Sequence, residues 1–470
     1  MMNNILPKTL ALLTIGAGFA SCSRNTIESQ RPNIIFILTD DQRWDALGYA
    51  GNNEIWTPEM DRLAREGNYY RNAFVTTPIC AAARASFFTG LYERTHGYTF
   101  QQGEIDQAFM DFSYPALMME SPYYTGFFGK FGVSYSLRNN LFDEAEDFDR
   151  NNSYGDRRGF FYKTIDGDTV HLTRYTGHRA MEFIKNTPEG KPFCLSLSFS
   201  APHAHDSAPD QFFWSAGEDT LYQDDVISQP RKASEQFFTE QPVYVREGFN
   251  RTRWHWRFDT PEKYQHSMKG YYRMISGIDL EIGRIRHLLE SRGIAGNTII
   301  IFMSDNGYFT GERQLAGKWL MYEPSIRVPL IIFDPRSENP GDIEDLVLNI
   351  DIPSTILDFA GIDIPSGYQG ISLADYTKNE NPAKDREHFL IEHLWDFEHI
   401  PPSEGIRTKK WKYFRYINDP GHEELYDMVR DTDEIRNLSD HEQYQGVLGE
   451  LRMKTDSIIL DIEKDKKIIK

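Results

Sequence analysis

Cysteine is scarce: Cys22, Cys80 and Cys194 are the only three in 470 residues. So few form no disulfide framework, and a chain of this length must draw its stability from a large buried core. Positive charge is also short. Lysine and arginine number 51 against 70 acids, a net charge of -19 that excludes a polyphosphate binder with its basic face, so no nucleic acid partner is expected. An anionic substrate would have to be drawn by a local cluster of cations or metal. Long apolar runs are missing too, and the stretch from Thr9 to Ala20 is too short to span a bilayer. No internal repeat is visible.

That short stretch follows Lys8 and precedes Ser21-Cys22-Ser23, the pattern of a bacterial lipoprotein signal in which Cys22 becomes the lipidated N-terminus. Phe19 stands where leucine is more usual, so plain secretion stays open. This reading gives a signal peptide over residues 1–22, a polar linker over 23–31, and an exported protein of the periplasm or outer membrane. A lipid anchor would hold it on the membrane surface without spanning.

What is present starts with two buried strands. Asn33 to Thr39 is a continuous apolar run of the kind covered on both faces of a parallel sheet, and Asp40-Asp41 ends it. Neighbouring strand residues point to opposite faces, so the two carboxylates converge only if the backbone turns there. Taken alone, the pair is as well explained by a turn or a helix cap. Asn297 to Ser304 repeats the pattern and ends in Asp305-Asn306-Gly307. Two such pairs at C-terminal strand ends form an all-oxygen set, which suits a hard divalent cation such as calcium.

Between them lies Thr77-Pro78-Ile79-Cys80-Ala81-Ala82-Ala83-Arg84, running on to Thr89-Gly90. The alanine run favours a helix that stops at Gly90, placing Cys80 at its N-terminus beside unpaired amides. An isolated cysteine there is more often a small packed residue. Cys-x-Ala-x-Arg followed by Thr-Gly, however, resembles the signature of the type I sulfatases of the alkaline phosphatase superfamily, and bacterial carbohydrate sulfatases among them.

The resemblance implies that a maturation enzyme oxidises Cys80 to formylglycine, whose hydrate supplies the nucleophilic oxygen. It implies that Arg84 holds that group, that Lys130 in Gly129-Lys130 and Lys318 in Gly317-Lys318 bind sulfate, and that His203 in Pro202-His203 protonates the leaving oxygen. Calcium would be held by Asp40, Asp41, Asp305, Asn306 and the oxygen made at Cys80. Two positions depart from the family pattern: Ala82 stands in place of a proline, and Gly132 in place of a histidine that helps to release sulfate. Water or another histidine, such as His205, would then act as base.

The expected fold is α/β, a large mixed and mainly parallel sheet flanked by helices, with a catalytic domain over 32–378 and a smaller α+β subdomain over 379–470. Residues 206–261 read as an irregular insertion with Trp214, Trp254 and Trp256, and His205, Glu392, His393 and Trp395 are candidate substrate contacts. The implied substrate is a sulfated glycan. Two alternatives stay open: a phosphate or phosphonate ester hydrolase on the same scaffold, and a glycan-binding lipoprotein without catalysis.

Overall fold

A computed structural model describes residue 1 and residues 31–378, 386–397 and 399–469. Residues 2–30, which hold Cys22, the expected signal segment apart from Met1 and all of the linker but Arg31, lie outside the described residues.

Residues 31–470 form one compact unit. Its main sheet has eight strands: β1 (Asn33–Thr39), β2 (Asn68–Phe74), β3 (Tyr124–Gly129), β4 (Glu144–Asp147), β5 (Phe193–Ser198), β6 (Thr298–Ser304), β7 (Leu330–Phe333) and β8 (Gly341–Leu348). They lie in the order β8-β2-β7-β6-β1-β5-β3-β4. Only β7 runs against its neighbours. The apolar runs read from the sequence are the central strands β1 and β6, which pair in parallel from Asn33 opposite Thr298 to Thr39 opposite Ser304.

Alternation along these strands feeds two cores. Ile35, Ile37, Leu195, Leu197, Ile300 and Phe302 face helices α1 (Pro58–Glu66), α3 (Leu172–Asn186) and α4 (Pro261–Ser291). Ile34, Phe36, Ile299, Ile301 and Met303 face α2 (Cys80–Thr89) and α5 (Asp351–Ala360). Every strand of the parallel set therefore ends at one edge of a sheet covered on both sides, the place where such folds bind ligands.

A second sheet is antiparallel and follows chain order: β9 (His388–His393), β10 (Ser403–Thr408), β11 (Trp411–Tyr416) and β12 (Asp419–Asp427). Helix α6 (Gln445–Ile469) closes the chain against it. The two sheets meet where Phe74 packs on Phe389 and where the Glu392 amide donates to the Thr76 carbonyl at 2.9 Å. Among the described residues no helix is long and apolar enough to cross a membrane.

Candidate active site

Five strand ends meet at the C-terminal edge. Past β1 the chain turns at Asp41, whose φ of +71° brings its carboxylate beside that of Asp40. The Asp305 amide donates to the Thr39 carbonyl at 2.9 Å, and the Asp41 amide donates to Asp305 Oδ1 at 3.2 Å. Past β2, five loop residues lead to Cys80, the first residue of α2, buried and next to an extended N-cap that offers no side-chain cap. The first amides of that helix have no partner within the helix.

Past β3 comes Lys130. A β-carbon at Gly129 would sit 1.9 Å from the Ser198 carbonyl, so only glycine lets the Lys130 amide donate to that oxygen at 2.9 Å. Past β5 comes His203, whose Nδ1 donates to the Ala204 carbonyl at 2.6 Å. Its bare Nε2 therefore faces Asp41 Oδ2 at 3.5 Å. Lys318 arrives on a hairpin, pinned to the Cys80 loop by the Trp319 amide donating to the Pro78 carbonyl at 3.0 Å.

Arg84, one turn into α2, ties these ends together. Its Nε donates to Asp305 Oδ2 at 2.8 Å, and its Nη1 donates to the Lys130 carbonyl at 2.7 Å and to Ser198 Oγ. Lys130 Nζ donates to Asp40 Oδ2 and Lys318 Nζ to Asp41 Oδ1. Burial opposes ionisation, yet Lys130, His203, Lys318 and Arg84 hold the Asp40 carboxyl well below its usual range. Burial and the neighbouring Asp40 raise Asp305 to about 6, and burial with Arg150 nearby lowers His203 to about 3.

Three oxygens of this cluster have no hydrogen-bond partner although fully buried: Asp40 Oδ1, Asp41 Oδ2 and Asn306 Oδ1. Buried polar atoms are rarely left so, and three converging acceptors without a donor fit a cation. Asp40, Asp41 and His203 also lie close enough to share an ion. Carboxylate and amide oxygens outnumber the one nitrogen, which favours a hard cation over a soft one.

Not every expected residue joins the cluster. His205 is fully buried, its ring edge-on to Phe160 and Phe213 and its Nδ1 accepting from Ser207 Oγ at 3.1 Å, and it is near enough to Arg150 to feel that charge. Glu392 is enclosed and accepts from the Arg94 amide and Nε at 2.9 and 3.0 Å. His393 is fully buried in β9. Neither reaches a surface open to substrate. Trp395 stays half-buried, stacked on Phe397.

Sequence reasoning missed Asp149 and Arg150, which follow β4 at the same edge. Arg150 lies 3.4 Å from His203 Nε2 and 3.8 Å from Asp40 Oδ2. It also missed Asp206, a part-exposed carboxylate gripped by the buried Arg253 and Arg257. Asp206 is held far below its ordinary range because these arginines override the burial that opposes its charge.

The mainly parallel sheet thus carries, at its C-terminal edge, a cluster of acids, lysines and a helix N-terminus that could hold a cation. The chain belongs to the sulfatase family: the family model described as Sulfatase matches residues 32–362, and that described as N-sulphoglucosamine sulphohydrolase, C-terminal, matches 311–460. It is a sulfuric ester hydrolase of the alkaline phosphatase superfamily. It is similar to an N-acetylglucosamine-6-O-sulfatase of Bacteroides thetaiotaomicron, 29% identical over 98% of this chain and 93% of that one. An arylsulfatase of Clostridium perfringens is 29% identical over 90% and 93%.

Among solved structures, a protein in complex with its substrate D-glucosamine-2-N,6-O-disulfate superposes with a TM-score of 0.77. The two are 25% identical, over 93% of this chain and 98% of that one. A phosphonate monoester hydrolase from Silicibacter pomeroyi has a TM-score of 0.76 at 20% identity over 92% and 95%, a likeness of fold.

Proposed function

We propose that this protein releases sulfate from a sulfated carbohydrate, with calcium at the strand-edge oxygens and formylglycine in place of Cys80. The three orphaned oxygens of Asp40, Asp41 and Asn306 beside the α2 N-terminus carry this reading. Asp40, Asp41, Asp305 and Asn306 would hold the ion. Bound calcium and the formylglycine hydrate supply a nucleophilic oxygen at the sulfur. The carbohydrate preference is supported by the relatives, whose names specify an N-acetylglucosamine sulfate and a glucosamine disulfate.

The rest is done by this chain's own side chains. Lys130 and Lys318, whose ammonium groups lie at the Asp40 and Asp41 carboxylates, would match the charge of the sulfuryl oxygens. A low-dielectric, largely buried setting strengthens each of these contacts. His203 Nε2 is the imidazole nitrogen open to the cluster; bare in the resting site, it would take up the proton released by the nucleophile and pass it to the departing alcohol. With Gly132 offering no side chain and His205 packed elsewhere, the base that completes the cycle is His203 after it has lost its proton, or water. Lys130, Lys318, Arg84 and Arg150, with a bound cation, would supply the local attraction that draws a sulfated anion to an acidic protein.

The export reading belongs to this proposal: a leader ending before Cys22, a lipid on Cys22, and action on glycans in the periplasm or at the outer membrane. Sulfate and phosphate release should be measured from a panel of sulfated sugars and ester controls. The protein would be made with a formylglycine-generating enzyme, with Cys80→Ala as blank. Sulfate release lost in the blank and in chelator supports the reading. Phosphate or phosphonate release alone would favour the second reading, which the shared fold of the phosphonate hydrolase keeps open. Silence with Cys80 converted by mass would leave a binding lipoprotein.

A further inference from the structure

Four arginines lie around the site, and three of them make at least one short bond to a carboxylate while keeping other nitrogens unpartnered. Arg84 makes bonds of 2.7 and 2.8 Å to Lys130 and Asp305. Arg253 and Arg257 close on Asp206. Arg150 differs. Its side chain is only 12% exposed, yet its guanidinium has no protein contact shorter than 3.4 Å among the described residues. It stands 3.4 Å from His203 Nε2, 3.5 Å from Asp149 Oδ1 and 3.8 Å from Asp40 Oδ2. A guanidinium taken out of water and bonded this loosely carries a desolvation cost that an anionic ligand would offset.

Its place in the fold is the second argument. β4 pairs in parallel with β3, Gly129 opposite Asp147, so Arg150 leaves the sheet at the same edge, one strand beyond Lys130. The planar fork lies between His203, which faces the leaving oxygen, and Asp40, which faces the cation. A sulfuryl group in that gap presents oxygens to a donor whose geometry matches an oxyanion.

We propose that Arg150 is a further catalytic residue, donating to the sulfuryl oxygens of the ester and of the sulfate that leaves. This rests on the sulfatase reading above. It also explains how the site tolerates glycine at 132, because the guanidinium takes over the charge-matching share of the absent histidine. It takes no share of proton transfer, since a guanidinium stays protonated.

The test separates the two readings by measuring binding without turnover. Calcium-loaded Cys80→Ala protein is titrated calorimetrically with inorganic sulfate, alone and with Arg150→Gln. A tenfold or greater loss of sulfate affinity is expected at nearly unchanged Tm. In matured protein carrying Arg150→Gln, kcat on an aryl sulfate should fall about 10²- to 10³-fold, as for loss of one oxyanion donor. Sulfate binding that is absent from the Cys80→Ala protein, or unchanged by Arg150→Gln, overturns the proposal. Should Arg150→Gln fail to fold, Arg150→Lys keeps the charge for Asp149 and Asp40. The proposal then requires at least a threefold loss of sulfate affinity, and equal affinity overturns it. If the matured protein hydrolyses no sulfate ester while Arg150 still governs sulfate affinity, the functional reading fails, the catalytic role of Arg150 fails with it, and only its oxyanion contact is upheld.

Discussion

A β-carbon on Gly132 would stand 2.4 Å from Cδ of Arg84, and Gly132 holds a φ of +72°. Two constraints therefore fall on this position, a left-handed backbone and the side chain that ties four strand ends together. Glycine here is dictated by packing and cannot be reverted to the family histidine in isolation. Gly132→His should destabilise the fold by about 1 to 3 kcal/mol through overpacking and strain, and lower kcat/KM by displacing Arg84. Denaturant titration beside kinetics checks this. A rise in turnover at full stability would show that Arg84 yields and that the histidine was simply missing.

The orphaned oxygens of Asp40, Asp41 and Asn306 make a prediction about metal. Chelator-treated protein should lose sulfate release and regain it with calcium better than with zinc, because the donors are oxygens. Calcium at about 100 times its Kd should raise the unfolding free energy by roughly 3 kcal/mol, and Asp305→Asn should shrink that gain. A melting curve indifferent to calcium in both proteins would rule out a calcium site here.

Glu93 supplies a pH dependence away from the catalytic groups. Burial and then the nearby Glu392 raise its carboxyl to about 8, so the folded protein keeps it protonated where the unfolded chain has already ionised. Folding then retains a proton the unfolded state has lost, and stability falls as pH rises from about 4.5 to 8, by about 1 kcal/mol per unit. His171, lowered to about 4 by burial, has the opposite sign, since the unfolded chain takes up the proton first as pH falls. The two offset each other in the whole protein, so the measurement must be differential. Glu93→Gln should gain on the wild type steadily from pH 5 to 8 in urea titrations. A constant difference across that range would place Glu93 ionised in the fold.

How much of this was open in the sequence follows from which residues make their own signal. β1 and β6 are covered on both faces, so they read as unbroken apolar runs, and acids at their ends stand out against them. α2 was legible because its alanines run to Gly90, which holds a φ of +69° at the cap. Arg150 had no such frame. It follows Glu144-Ala145-Glu146-Asp147, an edge strand part-exposed along its length that carries no apolar pattern. Arg253 and Arg257 reach Asp206 across 47 and 51 residues, from a stretch whose short helices lack a clear periodicity.

Glu392 and Trp395, three residues apart and both expected at the substrate, part company in the structure, and their variants should too. Glu392 is buried against Arg94, so Glu392→Gln removes one partner of an enclosed ion pair and should cost about 3 kcal/mol of stability while leaving KM alone. Trp395 lies 4.8 Å from the Phe397 ring at 15° and has the part-exposed Phe100 against it at 5.3 Å. Trp395 and Phe397 pack in one cluster with Trp319 and Ile79, the residue before Cys80. A sugar face laid on this aromatic platform would gain about 1 kcal/mol. Trp395→Ala should therefore raise KM for a glycan substrate roughly fivefold, by that energy, with kcat and KM for a small aryl sulfate little changed. Should Glu392→Gln move KM and Trp395→Ala leave it fixed, the Trp395 platform is not the place where the sugar binds.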